Sequence, residues 1–190
     1  MALTFHPVLN DEDLQRTARV AHDIWFEYWP ALIGIEQTEY MVKNMQSLAA
    51  ITRDVRKVGY RYWLLYDEQG ICVGYTSSLA EDFTDDPFGA EATKHGEEIA
   101  KRATKRLFIS KIYLYAAERG KHYASRVLEF YEQLCRDEGL EAMYLTVNRG
   151  NELGVRAYLG RGFETIQELA ADIGEGFVMD DYIMCKMVEQ

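Results

Sequence analysis

Along "NDEDLQRTARVAHDIWFEYW" the apolar positions Leu14, Ala18, Ala21, Ile24, Trp25 and Tyr28 recur at helical spacing behind an Asn/Asp cluster suited to an N-cap. The pattern predicts an amphipathic helix that Pro30 stops. A second helix is predicted through "EQTEYMVKNMQSLAAITRDVRK", ending near Gly59. The chain then becomes rich in aromatic and β-branched residues, and "YRYWLLYDEQGICVGYTSSLA" reads as two strands joined by the turn Asp67 to Gly70. Residues 81–106 begin acidic, end basic and contain Pro87 and Gly89, so they read as an exposed, partly helical insertion. From Leu107 strands and helices alternate: strand to Ala116, helix from about His122 to Glu138, strand Ala142 to Val147, helix Glu152 to Leu159, strand Phe163 to Leu169, strand Phe177 to Met187. Alternation of this kind predicts an α/β fold, a mixed sheet flanked by helices. No repeat or low-complexity linker interrupts it, so residues 1–190 read as one domain.

Composition narrows the function. With 48% hydrophobic residues and 13% aromatics, a substantial core is expected rather than disorder. The 31 acidic against 21 basic residues give a net charge of −10, which argues against nucleic acid as a partner and against an anionic membrane surface. No apolar run approaches the roughly 20 residues needed to span a bilayer, and the N-terminus lacks the basic and apolar regions of a secretory signal. Cys72, Cys135 and Cys185 have neither metal-ligand spacing nor an even count, which points to a reducing, cytoplasmic setting, to packing roles and to no metal site.

The stretch "YLYAAERGKHYASRVLEFYEQL" passes from strand to helix through a single glycine, Gly120, flanked by Arg119 and Lys121. The first N–H groups of a helix have no intrahelical acceptors, and with the helix dipole they form an anion site. Glycine permits close approach, and the basic side chains add charge. Phosphate or pyrophosphate is the natural guest.

At these residues the sequence resembles the GNAT superfamily of N-acetyltransferases. "ERGKHYASRVL" is similar to its acetyl-CoA signature, Arg or Gln, two residues, Gly, one residue, then Gly or Ala. Arg119 takes the first position and Ala124 the last, while His122 stands where the pattern has its first glycine. "NRGNELGVRAYLGRGF" resembles the later motif through Asn151, Gly154, Tyr158, Gly162 and Phe163, with glycine at 154 where alanine is commoner. The resemblance covers about Leu107 to Phe163. It implies a single GNAT-like domain with a mostly antiparallel sheet and acetyl-CoA as co-substrate. The expected cofactor-binding residues are Leu114, Tyr115, Arg119, Gly120, Lys121, His122, Tyr123, Ala124, Ser125 and Asn151. Asn151 would bond the pantetheine arm, the backbone N–H groups around Leu114 and Tyr115 would hold pantetheine and polarise the thioester carbonyl, and Tyr158 would reach the sulfur. Homodimerisation through the C-terminal strands is common in the family.

The resemblance implies acetyl transfer to a primary amine of a small molecule by direct attack in a ternary complex. Protein N-terminal or lysine acetylation, and a non-catalytic CoA sensor, are the alternatives. The attacking amine must lose a proton and the departing thiolate needs a proton or hydrogen bonds, so Tyr158 is the expected acid. "LFISKIYLYAA" contains no carboxylate to serve as base; Glu81 is the candidate among Glu81, Asp82 and Asp85, which are read as following the earlier strand, with a water relay as the alternative. His122, expected beside phosphate with an ordinary helical φ, reads as a helix-start residue rather than a base. His6, His22 and His95 show no partner spacing. The aromatics of "WFEYW", Trp25 to Trp29, fit either a cation-receiving surface or the core.

Overall fold

A computed structural model of the chain describes residues 2–82 and 103–189. The expected helical insertion, with Asp85 and His95, therefore lies mostly outside the described residues. Seven strands, β1 (Thr4–Pro7), β2 (Arg61–Tyr66), β3 (Cys72–Asp82), β4 (Lys105–Leu114), β5 (Ala142–Asn148), β6 (Glu164–Gly174) and β7 (Phe177–Met187), hydrogen-bond in the order β1-β2-β3-β4-β5-β7-β6. β4 and β5 are parallel, whereas β1–β2, β2–β3, β5–β7 and β6–β7 are antiparallel. This is the mixed, mostly antiparallel sheet with flanking helices that the sequence predicts. The chain forms two compact units, residues 1–79 with 110–127, and residues 80–109 with 128–190.

The first unit is built on α1 (Asp11–Tyr28). Asn10 caps it, its side chain accepting the Asp13 N–H at 2.9 Å, and three acidic residues in the first turn suit the dipole. Loss of such a cap costs about 1 kcal/mol. Leu14, Val20, Ala21 and Ile24 pack with Ile51, Tyr62, Leu64 and Tyr75 in one core. Trp25 and Trp29 stack at 4.9 Å and are buried, so of the two readings of "WFEYW" the core holds for these two rings.

The second predicted helix is broken. α2 (Pro30–Ile33) and α3 (Ile35–Met41) lead through a π-helical turn to Ser47, whose extended backbone and side chain cap α4 (Leu48–Arg53). A further π-helical turn, Asp54–Val58, then ends at Gly59. Periodicity could not reveal the break because serine is tolerated within a helix as well as at its start. At Gly74 a side chain is sterically barred, since a Cβ would lie 2.1 Å from the Tyr113 carbonyl oxygen.

In the second unit β5, β6 and β7 carry a core of Ala142, Ile166, Ile183 and Cys185 with Ala103. α5 (Tyr123–Glu138) begins in the first unit and continues into the second, where α6 (Glu152–Leu159) follows β5. α6 and β7 have their expected limits. β4 instead starts at Lys105 and stops at Leu114, beyond which Ala116–Glu118 forms a 3-10 turn. β3 runs on through Asp82, so Glu81 and Asp82 belong to the strand rather than to a loop after it.

Candidate active site

In the first unit the β4–α5 junction gathers the predicted phosphate-binding residues on one short loop. Gly120 has φ +76° and His122 φ +62°, and α5 starts at Tyr123, whose side chain is buried, while Ala124 and Ser125 are half-buried in its first turn. His122 thus departs from the ordinary helical conformation expected of it. It occupies the left-handed region that glycine adopts without steric cost, which gives the family's glycine at this position its physical reason. The two left-handed residues turn the backbone so that it enters α5 at once, and the His122 carbonyl accepts the Arg126 N–H at 3.2 Å.

The two basic residues of the loop are not equivalent. The Arg119 guanidinium lies over the Tyr28 ring, 4.0 Å from its centroid, and pairs with no carboxylate among the described residues. An aromatic ring at this distance attracts the cation without neutralising it, so the guanidinium keeps its full charge. Lys121 Nζ is instead held by the Glu118 carboxylate at 2.8 Å, an interaction that raises the ammonium pKa and cancels the charge expected to serve an anion. The loop therefore presents one uncompensated cation, Arg119, and the helix start. One free basic side chain beside a helix start is a donor set that fits an anion such as a pyrophosphate group.

At the end of β4, Leu114 and Tyr115 are half-buried. The Tyr115 N–H donates to the Val73 carbonyl at 3.1 Å, so this amide is not available to polarise a thioester, contrary to the sequence expectation. Lys111, seven-hundredths exposed, is enclosed with Asp54 at 3.8 Å and the rings of Tyr60 and Tyr62, and burial pulls its pKa down to about 8. Tyr62 donates to Asp54 at 2.9 Å.

In the second unit Asn151 and Tyr158 lie two helical turns apart, hence on one face of the α6 region. The Asn151 side-chain oxygen caps α6 by accepting the Gly154 N–H at 3.1 Å. This bond takes one of the two acceptor sites of the carboxamide oxygen and fixes the side chain over the first turn of α6. Glycine at 154 makes room for Asn151 itself, because a Cβ there would sit 2.7 Å from Nδ2. Tyr158 is half-buried against Phe163, ring centroids 5.7 Å apart, and its surroundings push the phenol up to about 12. It is protonated throughout the neutral range.

Glu81, half-buried on β3, accepts a hydrogen bond from Tyr144. Burial raises its carboxyl pKa, opposed by that hydrogen bond and by the charge of buried Arg106. Tyr144 stacks on Phe108 at 4.9 Å. Asp181, which sequence reasoning missed, is buried on β7, and burial, reinforced by Asp180 and opposed by Asn148, pushes its carboxyl up to about 6. Alternation along β7 was the available signal, since an acid there occupies an inward position. His6 and His22 do have partners, Asp13 at 3.1 Å and Asp23 at 3.3 Å, although both rings are exposed. Cys135 and Cys185 are buried and Cys72 is half-buried, and burial raises the Cys72 and Cys185 thiol pKa values, so neither is poised as a thiolate. Among the described residues no helix is long and apolar enough to cross a membrane.

The same architecture recurs in solved structures of low sequence identity. PaiA N-acetyltransferase from Thermoplasma acidophilum, in complex with coenzyme A, is 17% identical with a TM-score of 0.67, over 98% of this chain and 99% of that one. A GCN5-related N-acetyltransferase from Rhodopseudomonas palustris is 17% identical with a TM-score of 0.69, over 98% and 94%. Spermidine N-acetyltransferase from Vibrio cholerae, in complex with CoA and spermine, is 15% identical with a TM-score of 0.60, over 98% and 95%. No curated protein matches the chain in sequence. The model of the acetyltransferase (GNAT) family matches residues 20–163, which contain both motifs and parts of both compact units. On that match the chain belongs to the GNAT acetyltransferase family, with acetyl-CoA as its co-substrate.

Proposed function

We propose that this protein transfers acetyl from acetyl-CoA to a primary amine of a small molecule, by direct attack within a ternary complex, as one catalytic domain in a reducing cytoplasmic compartment. The observation that carries the proposal is the placement of Asn151, the N-cap of α6, and Tyr158, two turns along it, on one face of that helix. A phenol near 12 is a weaker acid than a thiol near about 8.5, so Tyr158 serves as a hydrogen-bond donor to the departing sulfur. Arg119 and the start of α5 hold the phosphates, and Asn151 orients the pantetheine arm. Bringing amine and thioester side by side supplies much of the acceleration.

Glu81 is the proposed base. Its raised pKa brings it nearer to the operating pH, where a carboxylate accepts a proton most effectively, and Tyr144 fixes its orientation. Net charge −10 favours a cationic acceptor, and the complex of the Vibrio cholerae neighbour with spermine supports polyamines as the first class to try. The test is CoA release from acetyl-CoA with a panel of polyamines, arylalkylamines and peptide amines. Turnover confined to a small amine, reduced about 10²-fold or more in Tyr158→Phe and Glu81→Gln with CoA affinity kept, is the expected result. Turnover on peptides alone would favour protein acetylation, and CoA binding without turnover on any amine would favour a sensor.

A further inference from the structure

We infer that Glu27 and Tyr28, the last two residues of α1, are positioning residues that hold the cofactor's phosphate loop in its binding shape. The inference rests on the reading that the loop from Arg119 to Ser125 receives the phosphates. Glu27 is exposed, yet its carboxylate accepts the Ala116 N–H at 2.9 Å, across 89 residues of sequence. Ala116 opens the 3-10 turn, and its carbonyl accepts the Arg119 N–H at 3.2 Å. The helix thus fixes the first residue of the turn by a charged hydrogen bond and the residue after the turn by the Tyr28 ring.

These two anchors act on a segment that has reason to move. Gly120 and His122 hold left-handed backbone, and for His122 that conformation carries a steric penalty. A free loop would sample other conformations, and the cofactor would then meet its binding shape only part of the time, losing affinity in proportion. The end of α1 is itself a firm support, because Trp25 packs on Tyr113 of β4 at 5.5 Å and on Trp29 at 4.9 Å. Tyr28 also restrains Arg119, whose guanidinium carbon sits 4.0 Å from the ring centroid, while the charge that would attract a phosphate is kept. Neither Glu27 nor Tyr28 needs to touch the reacting atoms.

Hydrogen exchange of the free protein and calorimetric titration with CoA test the inference on wild type, Tyr28→Phe, Tyr28→Leu and Glu27→Ala, with thermal unfolding as the control for folding. Tyr28→Leu and Glu27→Ala are expected to speed exchange at Ala116 to Lys121 while the buried turns of α1 stay protected, and to weaken CoA by about five- to tenfold. Tyr28→Phe, which keeps the ring over Arg119, should weaken CoA clearly less than Tyr28→Leu does. In an Arg119→Ala background Tyr28→Leu should cost clearly less than it does in the wild type, a non-additivity that a general loss of stability would not produce. Unchanged exchange at Ala116 to Lys121 in both loss variants, or a Tyr28→Leu loss of the same size with and without Arg119, would overturn the inference. Wild-type protein that fails to bind CoA would overturn the cofactor reading instead, and the exchange rates of the free chain still decide whether these two residues hold the loop.

Discussion

The carboxamide of Asn151 occupies the space that a methyl group on Gly154 would need: its oxygen accepts the Gly154 N–H at 3.1 Å, and its nitrogen lies 2.7 Å from where the Cβ would be. Alanine is the better helix former by about 1 kcal/mol. Here Gly154→Ala displaces the cap, whose loss costs about 0.5–2 kcal/mol. The substitution is therefore expected to give no rise in melting temperature and to weaken CoA binding by moving Asn151. Thermal unfolding and calorimetry check both.

Glu118 masks Lys121. Glu118→Gln keeps a hydrogen-bond acceptor but releases the lysine charge toward the loop. CoA affinity should rise by about two- to fivefold at low ionic strength and return toward the wild-type value in about 0.5 M salt, where charges at the surface are screened. Lys121→Ala in the wild type should change affinity by less than Glu118→Gln does.

Buried Lys111 predicts a rise in stability on the alkaline side. Its ammonium is disfavoured in the folded state, with a pKa of about 8, so between about pH 8 and 10 the unfolded chain binds the additional proton and stability rises with pH. In Lys111→Met that contribution is absent. The stability of the wild type relative to Lys111→Met should increase by about 2 kcal/mol between pH 8 and 10. Chemical denaturation of the pair at these pH values measures it.

Asp181 predicts the opposite dependence on the acid side. Its folded pKa, near 6, lies above that of an unfolded aspartate, so its favourable contribution is complete below about pH 4 and is lost as pH rises through 6. Asp181→Asn should be more stable than the wild type at pH 7.5 by about 1–2 kcal/mol, allowing for partial solvation. The advantage should vanish at pH 4. A variant that gains equally at both values would contradict it.

What the sequence made legible follows from the range of each interaction. α6 and β7 were legible to the residue because apolar spacing, Asn151 and the Gly-rich turn before Phe177 are all local signals. The loop from Arg119 to His122 was legible as a tight strand-to-helix junction with basic residues, but its charge balance was not, since the Lys121–Glu118 pair depends on how the 3-10 turn folds. Tyr28 under Arg119 and Tyr144 on Glu81 join residues far apart in the chain, and no local pattern announces such contacts. The extension of β3 through Asp82 was hidden by the acidic run that follows Ala80, which reads locally as a loop. The Tyr115 amide was assigned to the cofactor by resemblance, and its bond to Val73 emerges only when the strands are paired.

The most direct test of the account is calorimetric titration of acetyl-CoA and CoA into the wild type beside Arg119→Ala. Micromolar binding of both ligands, weakened about tenfold or more by loss of the one uncompensated cation on the loop, is the predicted result. Absence of binding, or binding indifferent to Arg119, would contradict the phosphate site at the β4–α5 junction and the catalytic role built on it.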